Sequence, residues 1–273
     1  MKVLLSLIVV GFLSPVLSQS FKGEMFLYWG YNRSSYTNSD IHFRSDSYNF
    51  TLHNVEARDR PTSFNTKTYF NIELFTIPQY NYRVGYFITD NIALSIGLDH
   101  LKYVTRDNQY ANITGRIDKE ASAIYAGNYQ NEEVLVDTDF LQFEHSDGLN
   151  FASGDAEYFY AIPKFQFKNG GGVYGIGGLA LGAYIPKTKI NLFNNNVDNA
   201  FHLAGFGGAV NLKLRVYPIK HLFLSFDTRA GWAFLPDILV DGADARASQN
   251  FGWTQFAIQL GGQFPLKRNK ASE

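Results

Sequence analysis

Residues 209–232 read AVNLKLRVYPIKHLFLSFDTRAGW. On the way in, Val210, Leu212, Leu214 and Val216 alternate with Asn211, Lys213, Arg215 and Tyr217. After the break Pro218-Ile219-Lys220-His221, Leu222, Leu224, Phe226 and Trp232 alternate with Ser225, Asp227, Arg229 and Gly231. A period of two sends alternate residues to opposite faces of a strand. One face of this hairpin is therefore apolar and the other carries full charges. In a soluble sandwich the apolar face is the core. In a membrane barrel it meets lipid, and the charged face lines the lumen. The rest of the chain decides between the two.

Working outward, the N-terminus points to export. Met1-Lys2 is a short positive start, Val3 to Leu13 is apolar except for Ser6 and Gly11, and Val16-Leu17-Ser18 suits cleavage after Ser18. Residues 1–18 thus form a secretory signal peptide, too short and wrongly flanked for a membrane helix, and residues 19–273 form the β-barrel domain. Lys2 is the one charged residue in the signal, so the mature chain keeps all but one of its 24 basic residues and all 25 acidic ones. Near-neutrality argues against nucleic acid as a partner. There is no cysteine, so no disulfide holds the fold. No later segment reaches the ~18 apolar residues of a membrane helix. That does not count against a barrel, whose lipid-facing and lumen-facing residues average out along each strand.

Strand periodicity dominates the mature chain. Met25 to Tyr31 is an aromatic-rich first strand, and Ile41 to Val55 alternates Tyr48, Phe50 and Leu52 with Asn49, Thr51 and His53. From Ile77 to Thr89, Tyr80, Tyr82, Val84, Tyr86 and Ile88 oppose Gln79, Asn81, Arg83 and Gly85. Asp90-Asn91 is a hairpin turn. The return strand sets Ile92, Leu94, Ile96 and Leu98 against Ala93, Ser95, Gly97 and Asp99. Further strands are expected over 134–145, 156–167, 173–185, 201–217, 222–234 and 254–264, with loops at 105–133, 186–199 and 235–250 and a loop or distorted strand at 146–155. Short turns at 90–91, 168–172 and 218–221 thus alternate with long polar connections. Outer-membrane barrels alternate short periplasmic turns with long external loops in this way. The parity closes with eight strands if 41–55 and 134–145 are external extensions, and with ten or twelve if they cross the bilayer.

With the signal peptide, the alternating strands and a late aromatic at Phe264, the sequence resembles the bacterial outer-membrane β-barrel superfamily. The fold class expected is all-β, an antiparallel up-and-down transmembrane barrel in the outer membrane of a Gram-negative bacterium. The resemblance implies outer-membrane lipid and lipopolysaccharide as surroundings and the barrel assembly machinery for insertion. The Tyr- and Asn-rich, Cys-free composition looks like proteins of the Bacteroidota.

Three constellations carry candidate chemistry. From Glu120 to Pro163 there is no Lys or Arg. Within that acidic stretch Asp137, Asp139, Glu144, Asp147 and Asn150 offer hard oxygens suited to Ca²⁺; a solvated acidic surface is the plainer reading. No other cofactor is indicated. Second, Glu144-His145-Ser146-Asp147 holds a base, a hydroxyl and two carboxylates. Lipid A deacylase-type barrels are similar in expected fold and use a His, a Ser two residues later and a distant Glu. Here His145 and Ser146 are adjacent and face opposite ways on a regular strand. A bulge at Asp147-Gly148 would be needed to join His145 as base to Ser146 as nucleophile, with Glu144, Asp147 or Glu157 orienting the imidazole. Third, Arg83, Asp99, Lys213, Arg215, Asp227 and Arg229 fall on the charged strand faces and are expected to pair in the lumen, with Glu157 a further candidate there. Three functions remain open on this reading: a non-enzymatic barrel that binds at its external mouth or stabilises the membrane, a lipid A acyl hydrolase using His145 and Ser146, and a small-solute pore. A secreted β-sandwich is the soluble alternative.

Overall fold

A computed structural model describes residues 20–266 except 64, 70, 72, 74–77 and 243. The expected signal peptide, residues 1–18, and the basic tail from Lys267 lie outside the described residues. In chain order the strands are β1 (Glu24–Tyr36), β2 (Ser39–Arg44), β3 (Tyr48–Val55), β4 (Ala57–Asp59), β5 (Tyr80–Phe87), β6 (Ile92–Thr105), β7 (Gln109–Ile117), β8 (Gly127–Val136), β9 (Leu141–Gln166), β10 (Gly172–Leu192), β11 (Asn195–Phe201), β12 (Gly205–Ile219), β13 (Leu222–Leu239) and β14 (Arg246–Pro265); one short helix, α1, spans Thr66–Tyr69.

Eight of these strands pair antiparallel in the order β1-β5-β6-β9-β10-β12-β13-β14. The row closes on itself where β14 pairs β1, from Glu24 opposite Pro265 to Tyr36 opposite Trp253. Closure leaves this wall no open edge, which is what a strand assembly in lipid requires. The strand number is thus eight, and the ten- and twelve-strand closures are not formed. The hairpin of 209–232 forms, with Lys213 opposite Asp227 and Asn211 opposite Arg229.

The wall continues well past the level at which its outer face stops being apolar. On one side β14 hands on to β2, then β3, β7 and β8. On the other, β6 carries β4 and β10 carries β11. The ring so splays into two sheets that face each other across an apolar core. Phe43 on β2 meets Phe143 on β9, ring centroids 5.8 Å apart, and Phe50 on β3 meets Phe193 just past β10 at 5.9 Å.

Several connections expected to be loops are paired strand. The segment 105–133 contains most of β7 and β8, and 186–199 is largely the β10–β11 hairpin. In 235–250, β13 and β14 run on to Leu239 and from Arg246. Their Asn, Gln and Thr content suggests loop, yet Ala111, Ile113 and Ile117 on β7 bury one face and leave the polar residues on the other. Of the two readings of 146–155, the distorted strand is the one formed: β9 runs for 26 residues. Against β6 it carries a bulge in which Lys102 opposes Ser146, Asp147 and Gly148 between the pairs Leu101–Leu149 and Tyr103–His145. Gly148 has φ 141°, a conformation that side chains with a Cβ rarely adopt.

Candidate functional site

The outer wall is apolar over a continuous band. Leu27, Val84, Ile96, Leu179, Leu212 and Ile258 are all exposed. Tyr86 and Phe264 flank the band near the short turns, and Phe206, Trp232 and Phe234 flank it on the far side. Such a surface is stable only against lipid, with aromatic rings at the two interfaces. The short connections at 88–91 and 167–171 lie at one end and the splayed sheets at the other. The protein is a membrane-spanning β-barrel.

Its interior is filled in layers, as expected for eight strands. Nearest the short turns, Phe21, Phe26, Phe87, Phe159, Tyr174, Tyr217 and Phe223 form a buried aromatic cluster. Arg215 lies among them, its guanidinium 4.0 Å from the Phe223 ring centre, 4.8 Å from Phe26 and 5.0 Å from Phe159. Its Nε donates to Ser225 Oγ at 3.0 Å. A Cβ added to Gly85 or Gly261 would collide with the Phe26 or Phe223 ring, so these glycines let the plug fill the bore.

The next layer centres on Lys213. Its Nζ lies 2.7 Å from Glu157, 3.2 Å from Asp227 and 2.9 Å from the Tyr28 hydroxyl. Above it four charges close a ring across the bore. Arg83 bridges Asp155 and Asp99, and Arg229 bridges the same two carboxylates, with Arg229 to Asp155 at 2.5 Å. These groups are buried. In a low-dielectric bore such charges persist only when paired. The six lumen residues read from the sequence and Glu157 all point inward, joined by Asp155. On the external side the bore is closed again: Trp253 donates to the Tyr184 hydroxyl at 2.7 Å, and Tyr184 stacks on Phe151 with centroids 4.7 Å apart.

The expected hydrolytic set is not assembled. His145 points into the external core, fully buried, with Nδ1 3.1 Å from Thr188 Oγ1 and the Phe143 and Tyr103 rings beside it. Ser146 faces outward and donates to Glu144 at 2.7 Å. The bulge begins at Ser146, whose side chain turns to Glu144 on the face opposite His145, so it does not join the two. Asp147 is held by Lys189 at 2.8 Å and Lys187 at 3.1 Å, and this pairing keeps its carboxyl below the ordinary range. Glu157 belongs to the membrane layer with Lys213.

The expected Ca²⁺ ligands are also dispersed. Asp137 accepts the backbone N–H groups of Asp139 and Phe140 in a turn. Glu144 pairs with Arg60 at 2.6 Å, and Asn150 Oδ1 accepts from His100 Nδ1, 2.8 Å away. No group of three metal-ligating side chains occurs among the described residues. Glu144 and Asp147 near the bulge have each found a cation from another segment, which a reading of charge along the chain does not reveal.

One array was not legible from spacing. His53 lies between Asp40, 2.9 Å from Nδ1, and Thr114, 2.8 Å from Nε2. The three come from three segments, so no linear motif announces them. Although partial burial opposes it, the Asn54 amide and His53 hold the Asp40 carboxyl below its usual value. The array lies on the outer face of the external sheet, where water competes for each bond.

No family model matches the chain, and neither does any curated protein. Among solved structures, the outer membrane protein OprG from Pseudomonas aeruginosa is 10% identical, with 91% of this chain and 99% of that one covered, TM-score 0.44. Outer membrane protein AlkL is 14% identical over 97% and 100%, TM-score 0.40. Ail, the attachment invasion locus protein of Yersinia pestis, is 10% identical over 89% and 99%, TM-score 0.33.

Proposed function

We propose that the protein is a sealed, non-conducting barrel of a Gram-negative outer membrane that holds a rigid external β-platform for binding. The observation that carries this reading is the filling of the bore by an aromatic plug, two charge layers and an apolar external core. A pore needs a continuous wetted path, and each of these layers removes it. The external sheets hold their shape through their own core, which suits a surface that must present fixed side chains. On this reading the chain is exported with loss of residues 1–18, inserts through the barrel assembly machinery and stands among lipopolysaccharide.

Purified protein reconstituted in a planar bilayer is expected to give no discrete conductance steps. Steady single-channel currents from the wild-type protein would overturn the sealed reading and restore the pore.

A further inference from the structure

We propose that the outer face of the external half binds a neutral oligosaccharide in a trough laid across five strands. This rests on the reading of the external half as a binding platform and names its ligand class. The trough has a volume of about 500 Å³, within the range of small-molecule sites.

Its floor is set by register. Arg58 on β4 pairs with Val104 on β6, which pairs with Glu144 on β9, then Lys189 on β10 and Asp198 on β11. Two residues further along, Gln142, Asn191 and Asn196 form a second cross-strand row. The splayed sheet therefore presents donors and acceptors on a grid, ~4.8 Å apart between strands and ~7 Å apart along them.

Charge selects the ligand class. Arg58, Arg60 and Lys189 in the trough are matched by Asp107, Glu144 and Asp198. The groups are also paired locally, Arg60 with Glu144 at 2.6 Å and Arg58 with Asp107 at 3.7 Å. Lys189 is engaged by Asp147. No excess charge is left for a phosphate, a sulfate or a cation. The trough lies above the apolar band, and of its apolar lining Val104, Phe143 and Ile190 are already buried, which leaves an acyl chain little to gain.

Polyhydroxyl ligands suit such a surface, because each hydroxyl both donates and accepts and takes bidentate bonds from carboxylate, guanidinium and amide groups. Asn191 supplies a second, independent observation. It is buried, its Nδ2 donates to Thr138 O at 2.7 Å, and its Oδ1 has no partner among the described residues. A buried acceptor without a donor costs free energy until a ligand supplies one.

The test uses the full-length mature protein in lipid nanodiscs on a printed array of neutral, sialylated and sulfated oligosaccharides. Neutral glycans are expected to be retained, with little loss at about 0.5 M salt, where ionic attraction is screened. Asn191→Leu and Gln142→Leu are each expected to weaken retention about tenfold, the loss of a good hydrogen bond. Gln142 is exposed, so its variant folds even if Asn191→Leu does not. A blank array, binding confined to sulfated or sialylated glycans that salt removes, or neutral binding unchanged in Gln142→Leu would each overturn the proposal. Sealing is measured by bilayer recording, so a blank array with a silent bilayer removes the saccharide and leaves the sealed barrel standing.

Discussion

The membrane half and the external half of this molecule are built from the same strands and wear opposite faces. On β9, Ala156 and Tyr158 face lipid while Asp155 and Glu157 face the bore. Past the bulge the inward positions are Leu141, Phe143 and His145, and the outward ones are Gln142 and Glu144. On β13 the inward residues change from Asp227 and Arg229 to Ala233, Leu235 and Ile238. Interrupted by the bulge at 146–148 of β9 and by a shift between Leu235 and Ile238 of β13, the alternation resumes each time; what changes is the solvent outside. Lipid tolerates only apolar side chains, so below the interface the polar set is turned in, where its charges pair. Water accepts the polar set above it, and the apolar set forms the core. One strand can thus belong to an inside-out protein at one end and an ordinary sandwich at the other.

The contrast can be broken most severely from within the bore. Arg229→Leu leaves Asp99 and Asp155 buried with half their countercharge, and removing one partner of a buried pair costs about 3–5 kcal/mol. Urea titration of the barrel refolded in vesicles, with the heat-modifiable gel shift as readout, is expected to show this loss. A variant as stable as wild type would mean that the quartet of charges does not hold the bore.

A second change sets the two outer faces against each other. Leu212→Arg, placed on the lipid face, is expected to cost about 2–4 kcal/mol if it sits near the midplane. Gln130→Arg on the exposed face of β8 should change stability by less than about 0.5 kcal/mol. Equal costs at the two positions would remove the membrane boundary drawn between them.

The smallest expected effect sharpens the inner face of the external half. Burial pushes the His145 imidazole down to about 3. The unfolded chain takes up that proton below about pH 6.5, and the folded one refuses it until far lower. His145 therefore costs nothing at neutral pH, and stability falls as pH drops below about 6.5, by about 2 kcal/mol at about pH 5. His145→Leu should flatten this part of the pH dependence in urea titrations read on the external strands. An acid sensitivity that survives the substitution unchanged would assign it to other groups.

How much of this was legible depended on whether the signal lay along the chain or across it. The alternation in 209–232 and 77–99 identified the wall, its two faces and the inward charges, because period two is a property of consecutive residues. The extra strands at 105–133 and 186–199 were hidden by polar composition, which external strands share with loops when one face meets water. Adjacent in sequence, Glu144, His145, Ser146 and Asp147 looked like one site. The pleat sends His145 to the core, and strand pairing gives Glu144 to Arg60 and Asp147 to Lys187 and Lys189. Conversely, Asp40, His53 and Thr114 meet in space with no sequence motif to mark them.

By itself, the sequence determined that the hairpin from Ala209 to Trp232 is a two-faced wall with Lys213, Arg215, Asp227 and Arg229 on one side. Side-chain direction in a strand is a local consequence of backbone geometry. Only the tertiary structure decided that the wall closes at eight strands, that Arg83 and Arg229 share Asp99 and Asp155, and that the acidic stretch dissolves into separate pairs. Those outcomes depend on which strand lies beside which, and register between distant segments is set by the closure of the ring.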